Sequence, residues 1–140
     1  MGLQYDPRLH AASLGLVVVT FQLPPDWRGA YSHEKKTIYL TPGMSSREER
    51  STLAHEVAHA MAGDEFGGMD YFTAKQENRA NLLASRALID FQEYQRAERL
   101  HGYHVPSLAQ ELNVTEFILR FWRRWFRQTQ LPFSEEDTSQ

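Results

Sequence analysis

The chain changes its hydrophobic rhythm near residue 45. Before that point, apolar residues come in short runs rich in β-branched and aromatic side chains. Leu16–Leu23 is one such run, stopped by Pro24-Pro25, and Ala30–His33 and Thr37–Thr41 are two shorter ones. Each predicts a strand, and together they predict a small sheet. Ahead of them, Asp6 followed by Pro7 has the form of an N-cap with proline at the first helical position. The short helix it starts is expected to end at Gly15.

After residue 45 the apolar spacing becomes helical. Ser46-Arg47-Glu48-Glu49 has the spacing of a capping box, with Ser46 as N-cap and Glu49 reaching back, and Gly63 is a left-handed stop. A helix is therefore predicted between them, with Leu53, Val57 and Met61 on its core face. A second long helix is predicted from Thr73 to Leu100, carrying Ala80, Leu83, Ala84, Ala87, Leu88 and Phe91 at helical spacing. Beyond Pro106, two shorter helices, Ser107–Leu112 and Thr115–Arg127, meet at Asn113-Val114. The sum is an α+β fold: a small N-terminal three-stranded sheet packed on two long helices, with a C-terminal helical pair. Residues 1–130 suit one domain, and residues 131–140 read as a polar, flexible tail.

Composition narrows the chemistry. With 41% apolar and 24% charged residues the 140-residue chain is an ordinary globular sequence. It has no cysteine, so a metal would have to be held by histidine and carboxylate, and a reducing cytoplasmic setting is expected. The apolar run Leu14–Val19 is too short for a signal peptide or a membrane span. A net charge of −3 argues against broad attraction to nucleic acid, so direct nucleic-acid binding is not expected.

The stretch TLAHEVAHAMAG, Thr52–Gly63, places His55 and His59 four residues apart with Glu56 directly after the first. On a helix those two imidazoles lie about 40° apart on neighbouring turns and can grip one ion. Two histidines and a carboxylate make a zinc set that leaves one position open, with Glu56 beside the metal as general base. Given 6 histidines and 12 glutamates in 140 residues, chance produces this five-residue pattern roughly 0.02 times. The bland alternative is a helix carrying two structural histidines.

A third ligand is needed. Glu77, in QENRANLLA, follows His59 after 17 intervening residues, enough for a turn and a returning helix. Asn81 shares its face four residues on and could steady a ligating histidine from behind. Glu65, Asp64 and Asp70 are rivals, with Glu65 handicapped because the residue three after His59 is Ala62 rather than glycine.

On TLAHEVAHAMAG, ENRANLLASRAL and the upstream GAYSHEKKTIYL, the chain resembles the ImmA/IrrE family of zinc metallopeptidases over roughly Leu14–Arg127. The resemblance implies a gluzincin-like site with Glu56 as base and His55, His59 and Glu77 on Zn2+. It also implies a cytoplasmic endopeptidase acting on few proteins, such as a phage or mobile-element repressor. One departure is that Ser85–Asp90 runs on where the family often has a proline-terminated ending, which predicts a longer second helix.

Thr37, Ile38, Tyr39 and Leu40 are the candidate edge strand that would bind substrate by strand addition. Tyr71 and His33, with Tyr31 and Arg79 behind them, are candidate oxyanion donors. Histidines 101 and 104 read as surface residues. In SLAQELNVTEFILRFWRRWFR, Ala109, Leu112, Val114 and Ile118 have helix-turn-helix spacing. Arg120, Arg123, Arg124 and Arg127 gather opposite Phe121, Trp122 and Trp125, so this helix either closes the core or docks a protein or DNA. The competing functional reading is a DNA- or repressor-binding regulator whose metal site is structural or inactive.

Overall fold

A computed structural model describes residues 4–66 and 71–139, with side chains as far as residue 130. The first helix, α1 (Pro7–Ser13), starts as its sequence dictates: Asp6 accepts from the backbone N–H groups of Arg8 and Leu9, and Pro7 occupies the first turn. Three strands follow, β1 (Val17–Thr20), β2 (Gly29–Ser32) and β3 (Thr37–Leu40). The β-branched stretch forms strand only over its middle, because the ladder ends with the Phe21 N–H donating to the Leu40 carbonyl and the chain then runs to the prolines.

Strand order is β1-β3-β2, with β1 parallel and β2 antiparallel to β3. This overturns one expectation. Thr37, Ile38, Tyr39 and Leu40 form the central strand, hydrogen-bonded on both sides, and cannot take up a further chain. The β2–β3 turn at His33–Lys36 folds β2 back along one side of β3, while β1 pairs with the other side. The two edges are therefore β1 and β2.

Helix α2 (Ser46–Ala62) begins one residue earlier than its sequence suggests. SSREE contains two overlapping boxes, and the one realised joins Ser45 to Glu48, each side chain bonding the other's backbone N–H. Gly63 ends the helix in the left-handed region, at φ 68°. Leu53 and Val57 pack under Tyr31, Ile38 and Leu40, forming the sheet-side core, while Ala54 faces a second, helical core. Met61, expected inside, is instead 56% exposed.

The long second helix is two. Helix α3 (Ala74–Leu88) stops where Ile89 turns extended and buries itself, and Asp90 then caps α4 (Phe91–His101) by accepting from the Glu93 N–H at 3.0 Å. The second helix is thus shorter than the missing proline implied. The helical core joins Leu88, Tyr94, Leu108, Leu112, Leu119 and Trp122 from α3, α4, α5 (Val105–Leu112) and α6 (Glu116–Ser139). A large apolar side chain removed from such a core costs about 2–5 kcal/mol.

Asn113, left-handed at φ 56°, makes the α5–α6 turn. From α2, Arg50 donates to the carbonyls of Leu112 and Asn113, and Arg47 donates to that of Val114. The C-terminal pair is thereby fastened to the helix that bears the histidines. The aromatic helix closes the core: Trp122 is 2% exposed, and Arg86 lies 4.6 Å above the Trp125 ring. Among the described residues no helix is long and apolar enough to cross a membrane.

Candidate metal centre

Helix α2 is covered by the sheet on one side and the helical core on another, so its remaining strip, His55, Glu56 and His59, faces α3 and β2. The two imidazole Nε2 atoms stand 3.2 Å apart. Glu77 Oε1, from the first turn of α3, lies 2.9 Å from His55 Nε2 and 2.7 Å from His59 Nε2. Ligands around a tetrahedral zinc are spaced about 3.3 Å apart when each metal bond is about 2.0 Å. The three atoms need only move slightly outward to fit a divalent ion, and all lie within 4.8 Å of one another. His-His-Glu is the donor set and spacing of a metal site.

Each imidazole is held from behind. His59 is fully buried and donates from Nδ1 to Asp64 Oδ2 at 2.9 Å, which leaves Nε2 to face the ion position. Asp64 in turn accepts from Arg79 on α3. The left-handed Gly63 makes this possible by bringing the Asp64 N–H back to the His59 carbonyl at 3.0 Å. Phe72 stacks on the His59 ring, centroids 3.7 Å apart. Asn81, one turn beyond Glu77 on the same face of α3, is near enough to His55 to help raise its pKa.

Charge is arranged to suit a cation. Burial opposes a charged His55, but the Glu77 hydrogen bond and the charges of Glu56 and Glu77 outweigh it, so its pKa is raised. Hydrogen bonds from His55 and His59 pull Glu77 down to about 2. Glu56 is 5% exposed, burial raises its pKa against the opposing charges of both histidines, and its Oε1 has no hydrogen-bond partner among the described residues. A buried carboxylate oxygen left without a donor is costly unless something binds there.

A family model described as the IrrE N-terminal-like domain of a peptidase family matches residues 11–121. The chain belongs to this family. As an IrrE N-terminal-like domain it carries the family's peptidase label on a fold that also occurs in a longer protein. A Mycobacterium tuberculosis transcriptional regulator superposes with a TM-score of 0.62 at 16% identity, over 86% of this chain and 42% of that one. That likeness speaks for the fold alone, and this chain spans less than half of the regulator's length. Comparison with curated proteins gives no match.

The IrrE-like chain brings Glu56, His55, His59, Glu77 and Asn81 together and scatters the other candidates. Asp64 is behind His59 rather than on the ion side. Glu65 is exposed, its carbonyl taken by Gln76 at 3.1 Å, and Asp70 lies outside the described residues. Tyr71 lines a cleft of about 250 Å³ with Glu56, Glu77, Gly29 and Ala30. His33 does not line it: β2 runs alongside α2 and carries His33 to Gly63, where it shares a hydrogen bond with Tyr31. Tyr31 is buried in the sheet core and Arg79 is paired with Asp64, so neither opens into the cleft. Sequence reasoning missed Asp64 and Arg79 as supports and Gly29 as the strand position against Glu56.

Proposed function

We propose that this domain is a zinc-dependent endopeptidase, with His55, His59 and Glu77 holding the metal and Glu56 as general base. The observation that carries the reading is the orphaned, buried Glu56 Oε1 beside a converging His-His-Glu set. Zn2+ bound there supplies Lewis acidity toward a peptide carbonyl and a water. Glu56 accepts the water's proton on Oε1 and passes it to the amine that leaves.

Substrate is held in extended form. β2 is the edge strand beside the cleft, and its outer side is free of any paired strand among the described residues. A peptide laid along Gly29–Ser32 gains backbone hydrogen bonds and passes Glu56. Family membership supports a protein substrate, and we assign a DNA-binding repressor of a phage or mobile element, met in the cytoplasm. Mass spectrometry of such a repressor, incubated with zinc-loaded wild type and with Glu56→Gln, tests this. Wild type should yield two fragments and the variant none. Intact repressor bound stoichiometrically in both samples would favour sequestration instead.

A further inference from the structure

The cleft beside Glu56 and Glu77 has walls that the catalytic reading does not use. Trp27 and Tyr71 face each other with ring centroids 6.0 Å apart, and Phe66 packs against Phe72 at 4.6 Å. Tyr71 is 61% and Phe66 39% exposed, so neither ring serves chiefly to fill the core. The floor is the backbone of Gly29 and Ala30 on β2. At about 250 Å³ the cleft falls below the about 300–1,000 Å³ usual for small-molecule sites, and it opens along a strand edge. Its dimensions suit one side chain of an extended peptide.

We infer that this aromatic slot selects peptides bearing a large apolar side chain, aromatic, leucine or methionine, at a residue flanking the bond that is cut. The inference rests on the peptidase reading and names the substrate class for it. Successive side chains of a strand laid along β2 alternate in direction, so one of every two points at the slot while the backbone passes Glu56. Aromatic walls reward an apolar occupant that excludes water. Asp26 stands at the rim as the rival influence, since its exposed carboxylate would favour a basic side chain. Glu56 and Glu77 also line the cleft but are committed to the reacting water and the metal, which leaves four rings against the solvated carboxylate of Asp26 and decides for the apolar occupant, because an exposed charge pair adds little.

The test is digestion of a mixed peptide library by the zinc-loaded protein, with fragments identified by mass spectrometry, for wild type, Trp27→Ala and Trp27→Phe. Large apolar residues should be enriched at one fixed position beside the cuts. Trp27→Ala should lower kcat/KM at least about 10-fold for peptides with phenylalanine there, and Trp27→Phe should restore most of it. Peptides with alanine at that position should lose much less rate in Trp27→Ala than phenylalanine peptides do, so that the preference for phenylalanine over alanine narrows. Enrichment of basic or small residues, or an unchanged preference in Trp27→Ala, overturns the slot. Should wild type cut nothing in the library, the peptidase reading is decided by the repressor digestion above, and the slot is judged separately by fluorescence anisotropy of labelled peptides on Glu56→Gln. Phenylalanine peptides should bind at least about 10-fold more tightly than alanine ones, and equal affinities overturn it.

Discussion

Gly29 of β2 lies against Glu56 of α2 so closely that a Cβ at position 29 would come 3.2 Å from Glu56 Oε2 and 2.6 Å from Thr52 Cγ2. The strand edge and the buried carboxylate are thus within van der Waals reach only because residue 29 has no side chain. Gly29→Ala must push Thr52 aside or move β2. It should cost about 1–3 kcal/mol of stability and, by displacing Glu56, at least about 10-fold in kcat/KM. Thermal unfolding and peptide kinetics on the same variant check this, and an unperturbed enzyme would show that the close approach is incidental.

Asp64 fixes the His59 ring, so its effect should appear in metal affinity before anything else. Asp64→Asn preserves shape but removes the charge that Arg79 and His59 share. Zinc affinity, measured by competition with a chromogenic chelator, should fall about 10–100-fold. Arg79→Gln should fall less, because the His59–Asp64 bond survives it. Equal wild-type affinity in Asp64→Asn would show that the Asp64 charge does not tune His59 for the metal.

Proton and metal compete at His55. Its pKa is raised above the ordinary 6.5 in the metal-free protein. Stability from that proton is therefore fully present below pH 6.5 and is lost as pH rises through the raised value. Zinc binding has the opposite sign and should tighten through the same window. Calorimetry in two buffers of different ionisation heat should find that zinc displaces the His55 proton below its raised pKa, and that this histidine's contribution to proton release shrinks as pH rises past it. A pH-independent affinity would show that His55 is not a ligand.

Alkaline stability reports on the helical core. Burial and the hydrogen bond to Glu98 push Tyr94 up to about 12, and burial does the same for Tyr5. Both are acids with raised values, so their contribution is intact below pH 10 and is lost as pH climbs to about 12. Tyr94→Phe should cost about 0.5–1.5 kcal/mol at neutral pH and make the alkaline decline shallower, with Tyr5 supplying the remainder. Urea midpoints from pH 8 upward, with phenolate absorbance alongside, check both halves.

What the sequence made readable was local. The pair His55 and His59 follows from a four-residue spacing, and Glu77 is favoured over Glu65, Asp64 and Asp70 by its distance along the chain and its shared face with Asn81, so this cluster could be named before any fold existed. Strand order could not, because β1 pairs with β3 across a gap that no residue pattern marks, and the edge was therefore assigned to the wrong strand. The break at Ile89-Asp90 was marked, since Asp90 stands three residues before Glu93 like other caps, but the apolar period runs through it unbroken. Asp64 was weighed as a ligand. Only the left-handed turn at Gly63 reveals that it reaches His59 from the far side.

Two imidazoles and one carboxylate should bind one zinc with a position left open. X-ray absorption of the zinc-loaded protein, with Glu77→Gln beside it, addresses this directly. The account predicts four light-atom neighbours at about 2.0 Å including two imidazoles in wild type, and a spectrum changed, with weaker retention of zinc, in the variant. Zinc lacking imidazole scattering, or an identical spectrum and affinity in Glu77→Gln, would contradict it.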